Sequence, residues 1–313
     1  MDERAHARSA PGGALVRIVV NMPQMAANGL SENWLFRHCG DCHWQELCSS
    51  VGAPSSALRD AAGQRLYPTF VAILARYERP LWDVEENDVF DTTVRLSHFG
   101  QSFFHSEVAF AGARATYGME MLTAFASRES PDRNALRKSV PAKEFRYTSE
   151  ALREAPPLLG LSKTMRRGDL ARHEVAGHVF GFDAGAAMAP VTLEPNPYFD
   201  YNGANLLYFA AYPTLTDTIE RAVVRREGLA PTGLDWALAS STVARDVFYY
   251  RNLEIGDALR GTVRSFERAG DTAFTWIRLS AADDDMAVAD VFTVKRLVDG
   301  PIGKGDRSLP PAG

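Results

Sequence analysis

Asn28-Gly29-Leu30-Ser31-Glu32-Asn33-Trp34-Leu35 opens a helix-like run that continues to Ser50. Asp200-Tyr201-Asn202-Gly203-Ala204-Asn205-Leu206-Leu207-Tyr208-Phe209 opens a second such run, which continues to Val224. Each run is followed by a long stretch that reads as strands. A helix followed by strands, twice in one chain, predicts two copies of one module. Any site then falls between the copies, where helix N-termini present backbone N–H groups to a developing negative charge.

Outward from the first Asn-Gly pair, Leu15 to Met22 is a short β-branched run and a predicted strand, broken by Pro23. Ser31 with Trp34, Leu35, His38, Trp44 and Leu47 gives helical apolar spacing, interrupted at Gly40 and ended by Gly52-Ala53-Pro54. Leu66 to Tyr77, Asp88 to Phe99, Ser102 to Phe110 and Ala115 to Ala126 alternate as antiparallel strands do. Ser127 to Arg167 is polar and broken by prolines, and reads as a connector with room for short helices. The second module predicts a strand at His173 to Phe182 and a helix from Ala204 to about Arg226, kinked or started late by Pro213. Further strands follow at Ala244 to Leu253, Ala258 to Ala269, Thr272 to Ala281 and Met286 to Leu297. The expected division is one module over 14–165, a second over 166–300, and flexible tails at 1–13 and 301–313. One long helix on one curved antiparallel sheet, made twice, is an α+β double hot-dog with edge strands joined into a continuous sheet.

The chain of 313 residues is long enough for two good cores, and 46% apolar with 23% charged residues is ordinary for a soluble enzyme. A formal net charge of −5 argues against a nucleic-acid surface, so an acidic partner would need a local basic patch. No signal-type or membrane-spanning apolar run is visible, and the expected location is the cytoplasm, with no membrane partner. The three cysteines, Cys39, Cys42 and Cys48, share one predicted helix, which excludes a disulfide framework.

Three segments carry candidate chemistry. In the first, Ser31 and Glu32 sit where helix caps sit, and either role suits them. Asn28 and Gly29 stand before them as substrate-binding candidates. Asp41 and His43 follow a mid-helix glycine, and His43 suits contact with a substrate carbonyl or a structural role equally. Cys39-Gly40-Asp41-Cys42-His43 matches the C-x-x-C-H haem-attachment pattern, but without an export signal it reads as a decoy, and no cofactor or metal is expected. In the second, Tyr67 begins a strand; its hydroxyl can donate to a thioester oxygen or, given a base, accept an acyl group. In the third, Gly203 allows backbone close to a ligand, and Asn202 and Asn205 offer neutral amide donors suited to an enolate or oxyanion, or else simply make a turn. No nucleophile elbow, phosphate loop or dinucleotide fingerprint occurs. Asp283-Asp284-Asp285 reads as a solvated turn rather than a metal site.

Met22-Pro23-Gln24, Asn28 through Trp34, Gly40-Asp41 with His43-Trp44, Arg65-Leu66-Tyr67, and Asn202-Gly203 through Leu206-Leu207-Tyr208-Phe209 give a further signal. At these residues the chain resembles the bifunctional acyltransferase/decarboxylase family of leinamycin-type polyketide biosynthesis, over nearly its whole length outside the tails. The resemblance implies a double hot-dog that decarboxylates methylmalonyl-CoA. The resulting acyl group then passes to the phosphopantetheine of an acyl carrier protein. The family's active-site tyrosine falls on Tyr67 and its second-module asparagine on Asn202 or Asn205. Acyl-CoA and the carrier are then the partners, and the chain is either a monomer or a homodimer. A hot-dog thioesterase using Asp41 or Glu32, a dehydratase using His43, and a non-catalytic carrier-binding module are the competing readings.

Overall fold

The computed structural model describes residues 15–298 except 131–132, 143–144, 183–186 and 232–233, so both predicted tails lie outside the described residues. The first half of the chain gives β1 (Val16–Val19), a small hairpin of β2 (Met25–Ala26) and β3 (Gly29–Leu30), and α1 (Glu32–Val51). Then come β4 (Tyr67–Tyr77), β5 (Val89–Phe99), β6 (Phe103–Gly112), β7 (Thr116–Ser130), β8 (Arg133–Lys138), β9 (Glu150–Ala151) and α2 (Pro157–Arg167). The second half gives β10 (Arg172–Val175), β11 (His178–Gly181), β12 (Val191–Leu193), α3 (Tyr212–Arg226) and α4 (Trp236–Ala239). It ends with β13 (Ser240–Tyr249), β14 (Leu259–Ala269), β15 (Thr272–Ala281) and β16 (Ala287–Leu297).

One 12-stranded sheet runs β1-β5-β6-β7-β4-β13-β16-β15-β14-β12, with β8 added beside β7 and β9 beside β5. The halves join where β4 pairs antiparallel with β13, Ala72–Arg76 against Ala244–Phe248. Two hot-dog sheets thereby lose an exposed edge each, and β13 is buried along nearly its whole length, as a central strand covered on both faces should be. This is the double hot-dog expected from the sequence.

α1 forms because Leu35, Cys39, Cys42, His43 and Leu47 repeat at helical spacing and bury one stripe on the sheet. Ser31 Oγ caps it by accepting from Trp34 N at 3.3 Å, and Gly52 ends it in the left-handed region at φ 70°. α1 and α3 share the larger core on one face of the sheet. On the other face α2 and the β10–β11 hairpin cover a second cluster around Phe180, Phe248 and Phe292. No helix among the described residues is long and apolar enough to cross a membrane.

Four details differ from the sequence reading. α1 runs unbroken through Gly40. The second helix starts at Tyr212, with Pro213 in its first turn, where a missing N–H costs no hydrogen bond; the 204–211 stretch is turn and 3-10 helix. The strand expected at 173–182 is a tight hairpin, because Ala176 and Gly177 both take positive φ, 49° and 83°. The polar connector contains β8 as well as α2, and the expected 165/166 division falls in the last turn of α2.

Candidate active site

The β4–β13 ladder stops at Ala72 and Phe248, and beyond it the two strands part. Residues 67–71 and 249–252 form the two sides of a fork that opens into a cavity of about 1020 Å³. Gly40, Asp41 and Trp44 of α1, the 202–204 turn and residues 206–209 complete the helix-side wall, and α2 borders the other side. The floor is aromatic. Phe209 lies on Phe70 with ring centroids 4.1 Å apart, and a Cβ on Gly40 would fall 2.2 Å from the Phe209 ring. The mid-helix glycine is therefore the seat of that ring.

Tyr67 lines the cavity. It alternates with Phe70, which belongs to the helix-side core, so it projects on the face that α2 covers. The guanidinium of Arg65 lies 5.2 Å and that of Arg128 5.8 Å from its ring centroid. Among the described residues nothing hydrogen-bonds the Tyr67 hydroxyl. Arg128 Nη2 also donates to the Ala204 carbonyl, which ties the 202–206 turn to the sheet beside Tyr67.

Asn202 lines the same cavity. Its Oδ1 accepts from Ala204 N at 2.9 Å and Leu206 N at 3.2 Å. Those two donors fix the amide orientation and leave Nδ2 as the end able to donate elsewhere. Gly203 is also on the wall, and a Cβ there would meet nothing within 4 Å. Asn205 sits at the corner of the turn with φ 55° and is not among the lining residues. The structure thus brings Tyr67, Asn202 and Gly203 together.

Most of the remaining candidates lie elsewhere. His43 is fully buried under the sheet. Its Nδ1 lies 2.7 Å from Ser106 Oγ and its Nε2 3.0 Å from Thr123 Oγ1, so one nitrogen donates and the other accepts. Burial, then the nearby His105, pushes its pKa down to about 3. With both nitrogens engaged, His43 has none to offer a haem iron, and the Cys39 thiol beside it is buried, its pKa raised by burial. Asn28 Nδ2 donates to the Ser240 carbonyl at 2.7 Å, and Gly29, at φ 127°, presses on Leu81 and Trp82 at the far end of the β4–β13 seam. Ser31 is the helix cap. Glu32 is buried against Arg245, at 3.0 and 2.9 Å. Asp41 does reach the cavity wall, where Oδ2 accepts from Gln45 Nε2 at 2.7 Å. Asp284, which also lines the cavity, pairs there with Arg251, and Asp285 pairs with Arg260, as in a solvated turn.

Several wall residues escaped the sequence reading. Lys138 falls in the stretch read as connector, as does Arg128, which stands beside Tyr67 rather than on the wall. Asn252, whose Oδ1 accepts from Leu207 N at 2.6 Å, follows the end of a strand with no local motif to mark it.

No family model matches the chain, and no curated protein sequence matches it. Solved structures do match in fold. The chain is similar to a structure assigned as an oleoyl thioesterase from Lactobacillus plantarum, at 14% identity and TM-score 0.64, over 93% of this chain and 98% of that one. It is similar to an acyl-ACP thioesterase from Bacteroides thetaiotaomicron at 12% identity and TM-score 0.57, over 90% and 97%. It is also similar to the 12:0-ACP thioesterase from Umbellularia californica at 10% identity and TM-score 0.55, over 91% and 97%. At these identities the shared property is the fold.

Proposed function

We propose that this protein acts on acyl thioesters. It decarboxylates a malonyl-type acyl-CoA, methylmalonyl-CoA, and transfers the resulting acyl group to the phosphopantetheine thiol of an acyl carrier protein. The thioester reading is supported by the fold shared with structures named as acyl-ACP thioesterases and by a cavity large enough for a pantetheine arm. The decarboxylase reading is carried by one observation. The wall presents Tyr67 and Asn202, both neutral donors with a free donating end, and among the described residues it contains neither histidine nor cysteine.

Loss of CO2 from a malonyl thioester breaks the bond between the α-carbon and the carboxylate. The electron pair moves into the thioester carbonyl and leaves an enolate, so no general base is needed. The site must donate to the thioester oxygen and hold the carboxylate in poorly solvating surroundings. Tyr67 Oη and Asn202 Nδ2 suit the first task, and the Phe70–Phe209 floor suits the second. Water supplies the proton to the α-carbon. The carrier thiol then attacks the carbonyl and the CoA thiolate leaves, either directly or by way of an ester on Tyr67.

Tyr67→Phe with methylmalonyl-CoA tests the assignment. Removal of one oxyanion donor lowers turnover about 10²–10³-fold. Unchanged turnover would take Tyr67 out of the mechanism, and the intact mass of trapped enzyme reports any acyl-tyrosine. The position of Asp41 on the wall favours one second reading, hydrolysis by an activated water. That reading predicts free acid without a carrier, no CO2, and loss of activity in Asp41→Asn.

A further inference from the structure

We infer that Lys138, Lys163 and Arg166 form an anion site that holds the phosphate end of a pantetheine arm while its thioester lies at Tyr67. The inference rests on the thioester reading and adds the direction in which the arm enters.

The three cations share one side of the cavity wall. Lys163 and Arg166 project from α2, and Lys138 ends β8. Tyr67 pairs with Ala126, and Ala126 with Lys138, so the three stand side by side across β4, β7 and β8. Two strand spacings separate Tyr67 from Lys138, about 10 Å at Cα, and the lysine side chain extends beyond that. The cations thus flank the end of the cavity away from the Phe70–Phe209 floor.

Their surroundings differ from those of the ion-paired cations in this chain. Arg76, Arg167, Arg251, Arg278 and Arg296 each pair with a carboxylate. Among the described residues Lys138, Lys163 and Arg166 make no ion pair. Lys138 Nζ instead lies 4.0 Å from the Phe103 ring centroid, and Arg166 lies over the Tyr250 ring at 5.9 Å while donating to the Tyr250 carbonyl. Burial, and then the nearby charge of Lys163, pulls the Lys138 pKa down. Cations gathered without counter-ions, in a chain of net charge −5, are poised for a multiply charged anion. A phosphate ester is the chemistry common to CoA and to carrier-bound phosphopantetheine.

The test is equilibrium binding of CoA and of pantetheine, which lacks phosphate, to the full chain and to the double variant Lys163→Ala/Arg166→Ala. CoA affinity should fall about tenfold or more in the variant, while pantetheine affinity moves less than twofold. Salt should weaken CoA binding to the unaltered protein and much less to the variant. Equal losses for both ligands, or no loss for CoA, would overturn the anion site while leaving the thioester reading standing. If the unaltered protein binds neither ligand, the thioester reading fails and this inference with it. A second arm compares a phosphopantetheine-loaded carrier protein with its apo form. Retention of the loaded form alone, lost in the variant, makes the carrier the phosphate source; a response to CoA alone makes CoA the source.

Discussion

At one end of the β4–β13 seam the strands part around a cavity. At the other end, where Tyr77 leaves β4 and Ser240 enters β13, the helix-side space is filled. Glu32, Tyr77, Asp217, Glu220, Thr242, Arg245 and Lys295 close it with a chain of ion pairs and hydrogen bonds. The matching Asn-Gly pairs lie at the two ends. Asn28-Gly29 is bolted to Ser240 and packed on Leu81, whereas Asn202-Gly203 faces open space. The repeated motif therefore specifies a turn ahead of a helix, and whether that turn borders a site depends on what the other module places opposite. Opposite Asn202 stands Tyr67, on a strand that has parted from β13 while still paired with β7. Opposite Asn28 stands a strand bearing Arg245, which is fully buried.

The largest effect expected is at the filled end. Arg245→Met strips Glu32 and Asp217 of their shared cation and should cost about 3–5 kcal/mol in a denaturant titration. Adding Glu32→Leu should return part of it, since an apolar pair replaces an orphaned buried carboxylate. A loss below about 1 kcal/mol would mean the cluster does not hold the modules together. At the open end Tyr67→Phe should do the reverse, lowering turnover about 10²–10³-fold while stability stays within about 0.5 kcal/mol.

The glycines give the most direct contrast. A Cβ on Gly29 would lie 2.4 Å from the Leu81 carbonyl oxygen, at a φ of 127° that side chains rarely adopt. Gly29→Ala should cost about 2–4 kcal/mol. Gly203→Ala meets no atom and should leave stability within about 0.5 kcal/mol. Any change it makes should appear in substrate binding. Equal stability costs at the two positions would dissolve the distinction between the ends.

Eight long strands and α1 were legible from local pattern, either an alternation, as in Phe90, Thr92, Val94 and Leu96 on β5, buried at alternate positions, or a run rich in β-branched and aromatic residues, as on β13 and β16. The start of α3 was not legible from the Asn-Gly motif, since Asn202 spends its side-chain oxygen on its own turn and Pro213 sets the first helical turn instead. β8 was missed because an exposed edge strand such as Arg133 to Lys138 has no apolar face to alternate. The candidate site was half legible. Tyr67 and Asn202 were named from local signals and do share a cavity, but His43 shows the same kind of signal and is engaged inside the sheet by Ser106 and Thr123. The cations of α2 and β8, and the partners of Glu32, are set by contacts between distant segments, which no local pattern records.

The smallest effect concerns pH at the filled end. Burial opposes the charge on Asp217, but Arg245 and Lys295 outweigh it and hold its pKa below 3.8. Burial likewise opposes the charge on Lys295, and Asp217 with Glu220 outweighs it and raises its pKa above 10.5. A lowered carboxylate contributes stability that is present above its unfolded pKa and lost as pH falls through its folded one. A raised lysine contributes stability that is present below its unfolded pKa and lost as pH rises through its folded one. The filled end is therefore fully effective between about pH 4 and pH 10. The Asp217 side chain is 40% exposed, so solvent screens its share to about 1 kcal/mol or less. The stability gap between the unaltered protein and Asp217→Asn should be constant from about pH 5 to 9 and shrink as acid takes the pH below about 4. A gap that persists in acid would show that Asp217 acts through packing. Because the cluster lies at the end of the seam away from Tyr67, the pH profile of turnover in Asp217→Asn should follow that of the unaltered protein, and a shifted profile would mean that the two ends are coupled through α3.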